Sequence, residues 1–286
     1  MVTGSAWRKN NRRELRHSLG RFLAIVAIVA LGVGFFAGLK AAQPAMLRTG
    51  SQYVQKTELF DYRLVSTLGL TQEDADYFAG LDGVRAAEGA RSVDLTAEFE
   101  DEDMTLKALT LSDAVNRPSL TAGRMPERAD ECLADADRFT EADLGKTLTA
   151  QAASVNDAFT QTAFTIVGLA ETPLYLGAER GTTSLGGGTL NGFVLLQPEA
   201  FAMDYFTEIY LLLDGTQGTD LYSDAYDAAV DAVRPALTTA LKERAQKRYD
   251  DIIDEARDAL SKAQKEYDDG LAEYQEQRAQ TEQELA

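Results

Sequence analysis

The side chains that most often carry chemistry are scarce in this sequence. One histidine, His17, and one cysteine, Cys132, stand among 286 residues. A single cysteine excludes a disulfide framework and a cysteine-rich zinc site, and a single histidine leaves no set for a histidine-based metal centre. No G-x-S-x-G elbow occurs, and an apolar segment separates His17 from the bulk of the chain, which excludes a Ser-His-Asp hydrolase. His17 lies beside Arg16 in a basic flank, where contact with a lipid headgroup is the expected role. Gly145-Lys146-Thr147 looks like the end of a phosphate-binding loop, but that pattern needs glycine where Thr140 stands, so the stretch reads as a turn entering a strand. The run Glu98, Glu100, Asp101, Glu102, Asp103 lacks the alternating ligand spacing and central glycine of a Ca²⁺ loop and reads as a solvated hairpin tip. Cys132 reads as a small buried hydrophobe in a short strand, with an intermolecular disulfide as the alternative. Carboxylates are plentiful enough for glycosidase-type work, yet no spacing singles out one pair. The expectation is a chain with no catalytic residue, no metal ligand and no cofactor of its own.

What must position these residues is set first by charge. Lys and Arg number 28 against 46 Asp and Glu, a net charge of −18, which disfavours a nucleic-acid partner. The balance is uneven. Arg8, Lys9, Arg12, Arg13, Arg16 and Arg21 face only Glu14, so residues 1–21 carry +5 and the remainder −23. Between them, Phe22 to Leu39 holds eighteen residues without a charge or a strong polar group. As a helix this stretch is about 27 Å long, close to the thickness of a bilayer core. It exceeds the apolar region of a cleavable signal peptide and is followed by no A-x-A site, and it is apolar on every face, unlike a soluble helix. An uncleaved membrane span follows. The positive-inside rule puts residues 1–21 in the cytoplasm and Lys40 onward outside.

Beyond the span the pattern predicts α+β texture. Ala41 to Tyr53 continues the helix outward, with Pro44 as a kink point. Asp61 to Leu68 reads as a strand, and Thr71-Gln72-Glu73-Asp74 as an N-cap box opening a short helix. Val84 to Glu100 and Met104 to Leu111 alternate as two strands of one hairpin. Further strands are expected at Glu131 to Ala134, Thr147 to Ala150, Phe159 to Leu169, Gly192 to Leu196 and Glu208 to Leu213. Short helices are expected at Asp135 to Leu144 and Pro198 to Met203. Thr172 to Gly192 holds Pro173 and six glycines, which predicts a long mobile loop. Thr172, Pro173, Tyr175, Arg180, Gly181 and Asn191 are its candidate partner-docking residues.

After Asp214-Gly215 the composition turns helical, and Arg234-Pro235 marks a boundary, because proline disfavours helix before it and suits the first turn after it. Ile253, Leu260, Tyr267 and Tyr274 then recur every seven residues, with Ala256, Ala263 and Gly270 three positions later. That is a coiled-coil seam alternating large and small, and a lone helix of this kind needs a partner strand to bury it. Glu243/Lys247 and Asp258/Lys262 stand at i,i+4 on its solvated faces. The organisation is therefore a basic flank (1–21), a membrane helix (22–40), an α+β core domain (41–234) and a coiled-coil stalk (235–286) that reads as truncated.

Several stretches, in this order, resemble a known family. They are Leu120-Thr121-Ala122-Gly123-Arg124-Met125-Pro126, Glu131-Cys132-Leu133-Ala134-Asp135, Leu144-Gly145-Lys146-Thr147-Leu148, Phe164-Thr165-Ile166-Val167-Gly168, Thr172-Pro173-Leu174-Tyr175, Glu179-Arg180-Gly181-Thr182-Thr183, Pro198-Glu199-Ala200-Phe201 and Thr207-Glu208-Ile209-Tyr210. The chain resembles the N-terminal part of an FtsX/MacB-type ABC transporter permease, with its extracytoplasmic MacB-type core domain. The likeness covers about Arg13 to Asp214 and is closest to Gram-positive permeases carrying a coiled-coil insertion. Cys132 replaces the aliphatic residue usual in its strand. The resemblance implies a chain that is not itself an enzyme, with ATP and Mg²⁺ on a separate cytoplasmic ABC ATPase subunit. It also implies membrane lipid around the span, and a second permease copy or remaining permease helices, which this chain lacks along with the loop that contacts the ATPase. An extracellular protein partner, and export of peptide or lipid-linked cargo or control of cell-wall hydrolases, complete the expectation. The alternative reading is a single-span surface scaffold or sensor that dimerises through its coiled coil.

Overall fold

A computed structural model describes residue 13, residues 18–151 and residues 158–284; His17 and nearly all of the basic flank lie outside the described residues. Helix α1 runs unbroken from Leu19 to Thr57, through Pro44, and closes on Glu58 in the left-handed conformation. Every residue of its apolar stretch is exposed, and it is the one described helix long and apolar enough to cross a membrane.

Two sheets follow. The smaller is antiparallel, in the order β1 (Tyr62–Leu70), β10 (Phe206–Leu213), β2 (Val84–Ala90). One face is covered by the short helix α2 (Gln72–Ala79) and by the start of the long helix α3 (Asp224–Glu284), around Leu64, Phe78, Ile209, Leu211, Val233 and Leu237. Helix α2 opens with the expected box: the Thr71 side chain accepts from Asp74 N while Asp74 accepts from Thr71 N at 2.7 Å. The larger sheet has the order β5 (Ser119–Gly123), β8 (Ala163–Glu171), β6 (Glu131–Asp135), β9 (Gly192–Leu196), β4 (Glu102–Thr110), β3 (Ser92–Phe99), β7 (Thr147–Ala150). Because β7 also pairs with β8, six of these strands close on themselves. Leu95, Leu106, Phe164, Ile166 and Leu196 fill the interior. The α+β class and the long terminal helix are as the sequence predicts.

Four expectations need correction. The single strand Val84 to Glu100 is two strands in different sheets: β4 offers nine residues of edge, enough for β3 alone, so β2 pairs with β10 instead. The turn at the hairpin tip is Glu100-Asp101, both at positive φ, with Phe99 paired to Glu102. Asp135 to Leu144 is not a helix, because Asp135 ends a buried strand, and only one 3₁₀ turn, Glu141–Asp143, forms behind the Thr140 cap. Pro198 to Met203 shrinks to the 3₁₀ turn Pro198–Ala200. Helix α3 begins at Asp224, within the segment that turns helical after Gly215, and runs through the expected boundary at Pro235. Proline costs a helix interior about 3 kcal/mol, but Val233, Leu237 and Ala240 are packed in one core on both sides of it, so the helix continues. Edge strand β5 lies outside the predicted strands, because Ser119–Gly123 is only five residues long, ends on a glycine at positive φ and remains largely exposed.

The motif residues have plain structural roles. At Gly123 φ is +76°, and a Cβ there would sit 2.3 Å from Val167 O. Arg124 donates twice to Glu131, at 2.8 and 2.6 Å, and Glu127 N adds a third bond at 2.8 Å. These bonds hold the Glu131 carboxyl down at about 2, Arg124 contributing most.

Candidate functional site

The loop from Thr172 to Gly192 is pinned in its middle. Arg180 lies buried, its Nε and Nη2 bonded to Asp135 at 2.6 and 2.9 Å, with Nη2 also 2.6 Å from Asp137 and Nη1 donating to Gly177 O. Its guanidinium stands over Tyr175 at 5.4 Å and Phe193 at 5.6 Å. Bonding to Asp135 above all raises the Arg180 pKa, so the cation is permanent. Burial pushes the Tyr175 phenol up to about 12. Thr172 and Pro173 are also buried, and Asn191 spends its Oδ1 on Thr105 N at 2.8 Å. Of the predicted docking residues, Gly181 and Asn191 remain exposed, while Thr172, Pro173 and Arg180 serve the fold. A cavity of about 410 Å³ lies between this loop and Tyr53 of α1.

Cys132 is buried in β6, between β8 and β9, and burial raises its thiol pKa, consistent with a small hydrophobe. Lys146, the residue of the failed phosphate motif, is paired with Asp143 at 2.7 Å and Glu100 at 2.6 Å.

The stalk residues fall on a helix that leaves the domain. Ile253 is partly covered, while Ala256, Leu260, Ala263, Tyr267 and Tyr274 are exposed. At its root, Arg244 donates from Nε to Asp74 at 2.6 Å and from Nη1 to Glu73 at 2.9 Å, and lies 5.3 Å over Tyr77. Burial alone would raise the Asp74 carboxyl, but bonds from Thr71 and Arg244 hold it below the usual carboxylate range. Lys247 bonds Asp251 at 2.8 Å, the next turn, rather than the anticipated Glu243.

The feature that the sequence did not reveal is where α1, the small sheet and α3 meet. Asp61, in the turn after α1, accepts from Leu213 N at 2.7 Å and Thr216 Oγ1 at 2.8 Å on one oxygen, and from Tyr226 OH at 3.0 Å on the other. Tyr226 belongs to the first turn of α3, so one carboxylate ties the end of β10 to the root of the stalk. The foot of α1 joins the same knot: Leu221 N donates to Ser51 Oγ at 2.9 Å and Gln55 Nε2 to Thr219 O at 2.8 Å. Glu58 accepts both terminal nitrogens of Arg85, and its carbonyl accepts Asn116 N at 2.7 Å. A cavity of about 220 Å³ lies at the centre of this junction. Burial first, then the Asp61 charge, raise the Tyr226 phenol pKa. The partners of Asp61, Ser51 and Gln55 lie more than 150 residues away, so no local pattern could signal them.

No family model and no curated protein matches the sequence. Among solved structures the chain is similar to the extracellular domain of the noncanonic ABC-type transporter YknZ from Gram-positive bacteria. The identity is 13%, over 58% of this chain and 86% of that one, at a TM-score of 0.35. It is also similar to the periplasmic region of MacB from Actinobacillus actinomycetemcomitans, at 11% identity over 61% of this chain and 75% of that one, with a TM-score of 0.34. The first of these neighbours is an extracellular domain and the second a periplasmic region.

Proposed function

We propose that this chain is the N-terminal part of an FtsX/MacB-like ABC transporter permease. In this reading α1 crosses the membrane with its N-terminus in the cytoplasm, and the chain carries a conformational change of a cytoplasmic ATPase to the outer domain and its stalk. The observation that supports it best is the junction at Asp61. An unbroken helix enters the domain and is bonded within a few residues to the root of a 61-residue helix, so motion of one element pulls directly on the other. ATP and Mg²⁺ belong to the partner subunit, and the residues here contribute stiffness and connection rather than chemistry. The output is export of peptide or lipid-linked cargo, or control of a cell-wall hydrolase, through the exposed part of the Thr172 to Gly192 loop or the stalk seam.

The test is affinity purification, in mild detergent, of the protein expressed from its own gene. Co-purification of a nucleotide-binding ABC subunit whose ATP hydrolysis changes on deleting the stalk supports the permease. Recovery of the protein without any ATPase overturns it, and the exposed seam residues Leu260, Tyr267 and Tyr274 then favour the scaffold that dimerises through its coiled coil.

A further inference from the structure

In a chain of net charge −18, the half-buried Arg91 is left without a carboxylate. Among the described residues its side chain makes one hydrogen bond, Nε to Met203 O at 3.0 Å, and no ion pair. Its guanidinium lies 4.8 Å over Phe206 and 6.0 Å over Phe201, while its terminal nitrogens make no hydrogen bond among the described residues. Burial lowers the Arg91 pKa, and the field of Asp204 offsets this only in part.

Arg91 is the residue between β2 and β3, where the chain passes from the small sheet to the large one. It lines a cleft of about 400 Å³ bounded by Gln72, Gly89 and Phe206 on one side and by Thr110, Leu111 and Pro198 on the other. Clefts between two packed units are where ligands are most often held. Glu88 also lines it, but its carboxylate is taken by three backbone amides, Asp113, Ala114 and Val115, at 3.2, 3.2 and 2.8 Å. With Glu88 engaged by these amides, the guanidinium is the charged group of the cleft whose terminal donors have no partner among the described residues.

We infer that this cleft is a binding site for a carboxylate carried on a flat apolar group, the carboxylate meeting the Arg91 terminal nitrogens and the apolar part resting against Phe206 and Pro198. A planar fork of N–H donors matches a carboxylate in two parallel bonds, and nearby Glu88 and Asp204 disfavour a doubly charged phosphate. A ligand here touches both sheets and ties them together.

The test uses the whole chain in detergent micelles with ¹⁵N-labelled arginine, following the Arg91 Nε–Hε resonance while benzoate is titrated at constant ionic strength. A saturable shift is expected, with benzamide, which has the same shape without charge, binding about tenfold weaker or worse. Arg91→Met, which keeps an apolar stem at this position and removes the donors, should lose benzoate binding by a similar factor when binding to the variants is read from the benzoate proton signals by saturation-transfer difference. Arg91→Lys, which keeps charge without the fork, should also weaken it. A linear, non-saturating response overturns the site, as does equal affinity for benzamide. Tighter binding of inorganic phosphate than of benzoate overturns the carboxylate assignment.

Discussion

Removing the Asp61 carboxylate tests whether the junction is a mechanical joint. Asp61→Ala strips the acceptor from Leu213 N, Thr216 Oγ1 and Tyr226 OH at once. Hydrogen bonds to a charged group contribute about 1.5–3 kcal/mol each. Thr216 retains its bond to Leu213 O at 3.0 Å, and the adjacent cavity of about 220 Å³ admits water to the tyrosine, so the net loss is nearer to two bonds than three. The expected cost is about 3–5 kcal/mol, or roughly 6–20 °C in Tm for a domain of this size. Asp61→Asn keeps one oxygen for Leu213 N and Thr216 Oγ1 and turns its amide toward Tyr226, whose hydroxyl can accept, so it costs about 1–2 kcal/mol. Urea unfolding followed by near-ultraviolet circular dichroism gives both numbers. A second readout is the Tyr226 phenol, raised first by burial and then by the Asp61 charge. In Asp61→Ala it should ionise at lower pH in a spectrophotometric titration, while remaining above the usual tyrosine range because burial persists. Equal stability of Asp61→Ala, Asp61→Asn and the unaltered protein, with an unmoved phenol, refutes the joint.

Arg180→Ala leaves Asp135 buried without its cation and should destabilise the domain by about 3–5 kcal/mol in the same assay, with Arg180→Lys intermediate. Acid should unfold the protein through Glu131. Its folded pKa of about 2 lies below the ordinary 4.5, so its stabilisation is complete above about pH 4.5 and is lost as pH falls toward 2. Glu131→Gln should flatten that part of a stability-versus-pH curve, and an identical curve would exclude Glu131 as the source. Asp at Ile253, Leu260 and Tyr267 together should abolish stalk pairing in sedimentation and in helicity of the stalk, and unchanged values would count against the lever.

Much of this protein could be read locally. The eighteen apolar residues from Phe22, the Thr71 cap, the strand Gly192–Leu196 and the helix that carries the seven-residue recurrence from Ile253 each depend on neighbours within a few turns of chain, and each element forms where the spacing predicts. What failed was whatever depended on distant partners. Val84 to Glu100 alternates throughout, yet only the edges offered by β10 and β4 decide that it divides at Arg91. Pro235 is a stop signal by itself and is overruled by a core spanning Val233 and Leu237. Arg180 is one charged residue in a glycine-rich loop until Asp135 and Asp137 arrive from the end of β6 and bury it. The sequence by itself determined the long apolar helix, the acidic balance of the residues after it and the helical periods, because these are sums or repeats over adjacent residues. Only the tertiary structure decided the joint at Asp61 and left Arg91 without an ion pair among the described residues, because a hydrogen bond or its absence depends on the few ångströms between groups that the chain separates by a hundred residues or more.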